Sequence, residues 1–339
     1  MTRDLDEDDV RVRPGRGSRP RTRRRPQHSK AVHGFITAID RGRFRVALDD
    51  ASAEGTGEVI AMKARELGRR TLAVGDRVEV VGDASGAPGT LARIVRIEPR
   101  RTVLRRTPDD ADPVERPIVA NADQLLVVTA LADPPPRVGL IDRCLIAAYD
   151  AGVAPLLCLT KADLADPQDI LARYHSLHLP VIVSGQADAE LDPIAVAEVG
   201  RLLRGHLTAL VGHSGVGKST LVNALVPAAA RLTGPVNPTT GRGRHISSSA
   251  VALPLDGGGW VVDTPGVRSF GLGHVRTDRV LAAFPDLARG AADCPRDCRH
   301  QGADCALDRW VAAGHASPER LSSLRVLLQA RADLAGGGP

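Results

Sequence analysis

The stretch Gly212-His213-Ser214-Gly215-Val216-Gly217-Lys218-Ser219-Thr220 constrains this chain more than any other feature. It has the form GxxxxGK[ST], follows the apolar run Leu207 to Val211 and precedes an apolar helical stretch, Leu221 to Val226. A strand, a glycine-rich turn and a helix in that order aim successive backbone N–H groups at phosphate oxygens. Lys218 brings positive charge to the β- and γ-phosphates, and the Ser219 hydroxyl suits Mg²⁺. Val261-Val262-Asp263-Thr264-Pro265-Gly266 is a strand ending in DxxG. There Asp263 can hold the Mg²⁺ shell and the Gly266 N–H can sense a γ-phosphate. Asp-x-Pro-Gly alone is a common turn, and it gains force from following both an apolar strand and the phosphate loop.

The base is read from Thr160-Lys161-Ala162-Asp163, which follows an apolar strand at 155–159. A carboxylate at a sheet edge accepts hydrogen bonds from both N1–H and the N2 amino group of guanine, a pair of donors that adenine lacks. Bidentate base contacts discriminate by about 1–3 kcal/mol. Asp163 is therefore the specificity candidate, with Lys161 laying its stem along base and loop. A helix N-terminus with a capping Asp is the competing reading of the tetrapeptide. Ser184-Gly185, after the next strand, offers a hydroxyl and N–H groups at the same edge. These base-reading segments precede the phosphate loop, the reverse of the usual GTPase order. Joining the old termini and breaking the chain elsewhere preserves the sheet, because termini often lie close together. The expected domain is a circularly permuted α/β P-loop GTPase.

Around it the pattern changes twice. Short strands are predicted near 33–39, 43–48, 57–62, 76–81 and 90–97, which fits a small all-β barrel of OB or SH3-like type. Phe35 and Phe44 read as core there, and an RNA-binding role and a spacer role both stand open. Residues 99–118 read as a linker with an arginine cluster at 100, 101, 105 and 106. Strands then alternate with helices at 138–151, 168–177 and 191–203, which predicts a parallel sheet covered on both faces. Residues 276–339 read as mostly helical. The expected organisation is a basic disordered tail at 1–32, an OB-type barrel at 33–98, the GTPase domain at 99–275 and a helical zinc-binding domain at 276–339. The tail matters electrostatically: residues 11–30 hold nine Arg or Lys and no Asp or Glu. Such a segment either solubilises the chain or grips phosphate backbones. No apolar run approaches the ~18 residues that cross a bilayer, and the charged N-terminus does not read as a secretory signal. The expectation is a cytoplasmic protein without a membrane partner.

Three of the five cysteines fall within residues 294–305. Cys294-x3-Cys298-x-His300-x4-Cys305 supplies three thiolates and an imidazole, a set that suits tetrahedral structural Zn²⁺. Cys144 and Cys158 lie in apolar stretches and read as buried core thiols.

Taken together, the chain resembles the bacterial small-ribosomal-subunit-dependent GTPases, the RsgA or YjeQ family. The resemblance rests on the barrel, RRTVLRR at 100–106, TKAD at 160–163, GHSGVGKST at 212–220, GRGRH at 241–245, DTPGVRSFG at 263–271 and the Cys/His cluster. It implies a cytoplasmic, monomeric enzyme that binds the small subunit and its rRNA late in maturation, hydrolyses GTP with Mg²⁺ under stimulation by that subunit, and carries one structural Zn²⁺. Val267 stands where Ras-like enzymes place a water-orienting glutamine. The resemblance assigns that work to His245. The family continues this histidine with three threonines, whereas Ile246-Ser247-Ser248-Ser249 follows here, so Ser247 or Ser248 becomes the switch ligand to Mg²⁺. Thr160 replaces the usual asparagine. Two other readings stand beside this one: a guanine-nucleotide-switched RNA-binding module with negligible turnover, and a permuted GTPase of the large subunit.

Overall fold

Alternation shapes the N-terminal third. In β2 (Arg43–Leu48) the arginines at 43 and 45 are exposed while Phe44 and Val46 are buried, the period of a strand with one wet face. The computed structural model describes residues 28–49, 57–106, 116–187, 190–227, 250–264, 275, 277–302 and 305–336. Residues 1–27 of the basic tail lie outside them. With β1 (Val32–Asp40), β3 (Glu58–Lys63), β4 (Arg77–Gly82) and β5 (Ala92–Ile97), β2 forms a barrel of order β1-β2-β3-β5-β4. β4 closes back on β1, and β3 and β5 run parallel. This is the OB-type closure rather than an SH3-like one. Ile36, Phe44, Val46, Val78, Val80 and Ile94 fill its interior. Phe35 points the other way and meets the Trp260 ring edge-on, 4.9 Å between centroids.

The segment read as a linker contains a hairpin. β6 (Val103–Arg106) pairs antiparallel with β7 (Arg116–Ala120), and Leu104 and Val119 are buried. The arginines flanking them masked two short apolar runs. Arg100 is likewise no free cation. Its Nε and Nη2 donate to the two oxygens of Asp76 at 2.6 and 2.8 Å, and Asp76 is fully buried beside β4. Asp76 also accepts the Ala73 N–H at 2.8 Å. Arg101 pairs with Asp123 at 3.2 Å. Arg100 thus ties the barrel to the segment leading into the α/β sheet, and Arg101 ties that segment to the residue just before the sheet's first strand. Removing one partner of a buried pair strands the other, which costs about 3–5 kcal/mol. Arg100→Ala is therefore expected to lower the urea midpoint sharply, and an unchanged midpoint would refute the role given to this pair.

The α/β sheet is built from β8 (Gln124–Ala130), β9 (Ala154–Thr160), β10 (Val181–Ser184), β13 (Leu207–Val211), β14 (Val251–Pro254) and β15 (Trp260–Asp263); β11 (Gln186–Ala187) and β12 (Glu190–Leu191) form a separate two-stranded ladder. The order is β10-β9-β8-β13-β15-β14. The first five are parallel, and β14, which the pattern did not reveal, adds an antiparallel edge. β14 also pairs with β1 at Ala38 and Val251, so barrel and α/β strands make one continuous sheet. Helices cover both faces, as expected of strands buried on both sides. α3 (Pro193–Leu203) and α4 (Lys218–Leu225) share one apolar cluster with the sheet. α1 (Val138–Ala151) and α2 (Gln168–Tyr174) share the other. Cys144 and Cys158 are buried in these cores.

The C-terminal helices α5 (Thr277–Ala282), α6 (Pro285–Gly290), α7 (Ala306–Ala312) and α8 (Pro318–Gly336) extend the α1 cluster through Phe284, Leu287, Leu307, Leu321 and Leu324. Arg320 pins this joint. It pairs with Asp286 at 2.6 Å, donates to the Ser176 carbonyl at 2.6 Å and lies 4.8 Å over the Phe284 ring. No described helix is long and apolar enough to cross a membrane.

Candidate functional site

Parallel strands end on the same side. The C-terminal ends of β8, β9, β10, β13 and β15 therefore share one edge, where the loops carrying 160–163, 184–185, 212–217 and the carboxylate of Asp263 all emerge. β9 and β13 stand two strands apart, about 10 Å, which matches the reach of a nucleotide from base to β-phosphate.

The phosphate loop runs from Gly212 to Gly217 and opens α4 at Lys218. Glycine is required at both ends for different reasons. A Cβ on Gly212 would come within 2.4 Å of the Val128 carbonyl, and Gly217 has φ of +86°, a left-handed conformation. Between them His213 approaches the Ser214 carbonyl at 3.0 Å, Ser214 and Gly215 face solvent, and Val216 is buried as the loop's apolar anchor. Ser219 and Thr220 occupy the exposed first turn of α4. Lys218 Nζ lies 3.4 Å from Asp263 Oδ1. That oxygen is buried and makes no hydrogen bond, so the contact is one of charge alone. A buried carboxylate oxygen left bare of hydrogen bonds needs positive charge beside it. Lys218 supplies it.

The base-side loop meets its partners directly. Asp163 Oδ1 accepts the Gln186 N–H at 2.8 Å, and a Cβ on Gly185 would sit 3.7 Å from the same oxygen. The Ala162 N–H donates to the Ser184 carbonyl at 3.2 Å, with Ser184 itself buried. TKAD and Ser184-Gly185 are thus one construction. Lys161, at φ of +58°, donates to the Asp133 carbonyl in the turn after β8. Pro134 of that turn packs near Gly215. Neither Asp133 nor Gln186 announced itself in the sequence, because both contribute backbone groups that any residue type could offer. Thr160 is buried, and its Oγ1 donates to the Val216 carbonyl at 2.7 Å, joining the base-side loop to the phosphate loop. His245, Ser247, Ser248 and Gly266 lie outside the described residues, as does Val267.

A second site stands in the C-terminal segment. Cys294, Cys298, His300 and Cys305 bring their ligand atoms within 4.8 Å of one another. Cys294 Sγ is 3.6 Å from Cys305 Sγ, and Cys298 Sγ is 3.9 Å from it. His300 Nδ1 is 3.6 Å from Cys294 Sγ and 3.5 Å from Cys305 Sγ. A tetrahedron of Zn–S bonds has edges of about 3.8 Å, and its S···N edges are about 3.6 Å. The four donors fit a metal ion such as zinc. Burial pushes the Cys305 thiol up to about 12, and the neighbouring Cys294 and Cys298 sulfurs push the same way. A bound cation reverses that balance. Burial, then the charge of Arg325, lowers His300 and keeps its imidazole neutral, the ligating form.

Comparison with known proteins agrees with this geometry. A model of the RsgA GTPase family matches residues 97–273. The Small ribosomal subunit biogenesis GTPase RsgA of Pseudomonas aeruginosa (strain LESB58) is 36% identical over 293 residues, which cover 84% of this chain and 82% of that protein. Its counterpart in Azotobacter vinelandii is 38% identical over 266 residues, 76% of this chain and 74% of that one. Among solved structures, YjeQ from Thermotoga maritima superposes with a TM-score of 0.64 at 23% identity, covering 91% of this chain and all of that one. YloQ, described as a circularly permuted GTPase, gives 0.63 at 23% identity over 91% and 98%. The permuted fold is therefore shared with both. With a family model spanning just over half of its length and a relative above one third identical across more than four fifths of it, the chain belongs to the RsgA GTPase family.

Proposed function

We propose that this chain hydrolyses GTP to GDP and phosphate and acts in biogenesis of the small ribosomal subunit, with that subunit stimulating turnover. The observation that carries the reading is the junction of the base-side and phosphate loops on one sheet edge through Thr160 and Val216. Asp163 reads guanine, with Lys161, Ser184 and Gly185 framing the base. Residues 212–217 cradle the phosphates, Lys218 offsets their charge, and Ser219, Asp263 and a switch serine at 247 or 248 hold Mg²⁺. Mg²⁺ neutralises charge on the phosphates, while His245 orients the water and Gly266 senses the γ-phosphate. Cys294, Cys298, His300 and Cys305 hold one structural Zn²⁺. The protein works in the cytoplasm, where ribosomal subunits are assembled, and as a monomer.

The barrel supports contact with rRNA. β2 sets Arg43 opposite Met62 of β3, and Met62 in turn opposite Arg93 of β5. All three are exposed, alternating guanidinium and apolar groups on a face that OB folds use for oligonucleotides. Steady-state GTP hydrolysis with purified small subunits, with large subunits and with neither tests the proposal. Stimulation by the small subunit alone is expected. Stimulation by the large subunit alone, or no turnover under any condition, would overturn it. If some six phosphates are contacted, binding should weaken about 10³-fold between roughly 50 and 200 mM salt, and a flat salt response would remove the arginines from the interface.

A further inference from the structure

We infer that Arg325 of α8 is the positioning residue of the Cys/His cluster, holding the ligand loop in its metal-binding shape from a helix outside that loop. The inference rests on the zinc reading above and extends it to a residue that supplies no ligand atom. Arg325 Nε donates to the His300 carbonyl at 2.9 Å. Its Nη2 donates to Asp308 Oδ2 at 2.7 Å and reaches the Gly302 carbonyl at 3.4 Å. Each acceptor stands beside a metal donor. His300 carries the imidazole itself. The Gly302 carbonyl accepts the Cys305 N–H at 3.3 Å. Asp308 lies in the first turn of α7, where its N–H donates to the Cys305 carbonyl at 3.1 Å. One guanidinium thus braces both His300 and Cys305. Gln301 completes the clamp from the loop side, its Nε2 donating to the Arg325 carbonyl at 2.9 Å.

An Arg–Asp pair at a surface contributes little by itself. This one differs in what else the guanidinium holds. His300 has φ of +57°, a left-handed conformation that a residue with a side chain keeps only where its surroundings hold it. Arg325 on the carbonyl of His300 and Gln301 on α8 provide that hold. The platform beneath Arg325 is built without the metal: Leu321, Leu324, Leu327 and Leu328 of α8 are buried, and Arg320 ties the same helix to Asp286. The loop is therefore shaped against a helix already in place. Only a planar fork can reach three acceptors at once, whereas a lysine offers a point charge on a flexible stem. Three thiolates around one divalent cation also leave net negative charge, which a guanidinium beside them offsets.

Zinc affinity of the full chain, read by competition with a chromophoric chelator, tests the inference, with the urea midpoint measured alongside. Arg325→Met keeps the stem and removes the donors. It is expected to weaken zinc binding by roughly 10–100-fold, the loss typical when a partner that orients a metal ligand is removed. Arg325→Lys keeps the charge without the fork and is expected to lose affinity to the same order. In the Co²⁺-loaded chain both substitutions are expected to shift the visible ligand-field bands, because the donors are re-aimed. A lowered urea midpoint with zinc affinity and Co²⁺ bands unchanged would mean that Arg325 only packs the helices, and would overturn the inference. Full zinc affinity in the lysine variant would overturn it too, leaving charge as the whole contribution. Should Arg325→Met not fold, Arg325→Lys carries the comparison with the same outcomes. A wild-type chain with no zinc affinity and no sulfur-to-cobalt charge-transfer absorption would instead remove the metal reading, and the positioning role with it.

Discussion

Lys218→Ala is expected to reduce subunit-stimulated GTP hydrolysis by on the order of 10²–10³-fold, the loss typical when one preorganised charge-stabilising group leaves an active site. Lys218 opens α4 directly after the phosphate loop, and its Nζ lies 3.4 Å from Asp263. No other ion pair is made by Asp263 among the described residues, and its inner oxygen has no hydrogen bond. In the proposed reading the lysine serves two negative partners in one small volume, the carboxylate and the phosphates. Its removal leaves both short of positive charge. Because charge on the transferring phosphoryl group is what such a site must stabilise, turnover should fall further than GDP affinity. Single-turnover hydrolysis set beside GDP binding separates the two effects. Equal turnover in wild type and variant would take the phosphate loop out of the reaction. A loss of GDP affinity without a loss of single-turnover rate would limit Lys218 to binding.

Much of this site was legible because its signals are local. GHSGVGKST needs only its own glycines, lysine and hydroxyls, flanked by a strand and a helix, to declare what it does. TKAD was weaker alone, and its contact with the Gln186 N–H joins segments 23 residues apart. The hidden features depend on contacts far apart in sequence. The 103–120 hairpin was obscured because arginine and proline composition outweighed short apolar runs such as Val103-Leu104. β14 was missed since four residues beside a glycine-rich turn carry too little periodicity. Arg100 sits in an arginine cluster, and its pairing with the buried Asp76, 24 residues away, has no mark in the sequence. The same physics explains the Lys161 contact: a backbone carbonyl such as that of Asp133 has no sequence signature. The C-terminal segment shows in the sequence only as mostly helical, with nothing to say what its helices pack against. They share the cluster beneath α1, because their leucines are matched by apolar residues elsewhere in the chain.

That shared core bears on the second large effect, removal of the metal. The purified chain is expected to carry one zinc per molecule, and chelation or Cys305→Ser is expected to unfold the loop and α7 while leaving the phosphate-loop sheet intact. Structural zinc sites in small peptides bind with apparent energies of about 10–16 kcal/mol at neutral pH, and that energy is folding energy. Here the metal does not have to fold everything beyond residue 276. Phe284, Leu321 and Leu324 are buried without its help, and Arg320 locks α8 to Asp286 and Ser176. In the proposed reading the stretch from Cys294 to Cys305 and the short helix after it are the parts that depend on it. Trp310 reports on that helix: its indole donates to the Asp286 carbonyl at 2.9 Å, and its ring lies against Gly290. Only Trp260 shares its emission, since the chain has two tryptophans. In a Trp260→Phe background, chelation should shift Trp310 emission to the red and open 294–312 to proteolysis, with zinc restoring both. Unchanged emission and cleavage after complete removal of zinc would show that the sulfur cluster holds no structure. A chain purified without zinc yet protected over 294–312 would refute the assignment of the metal itself.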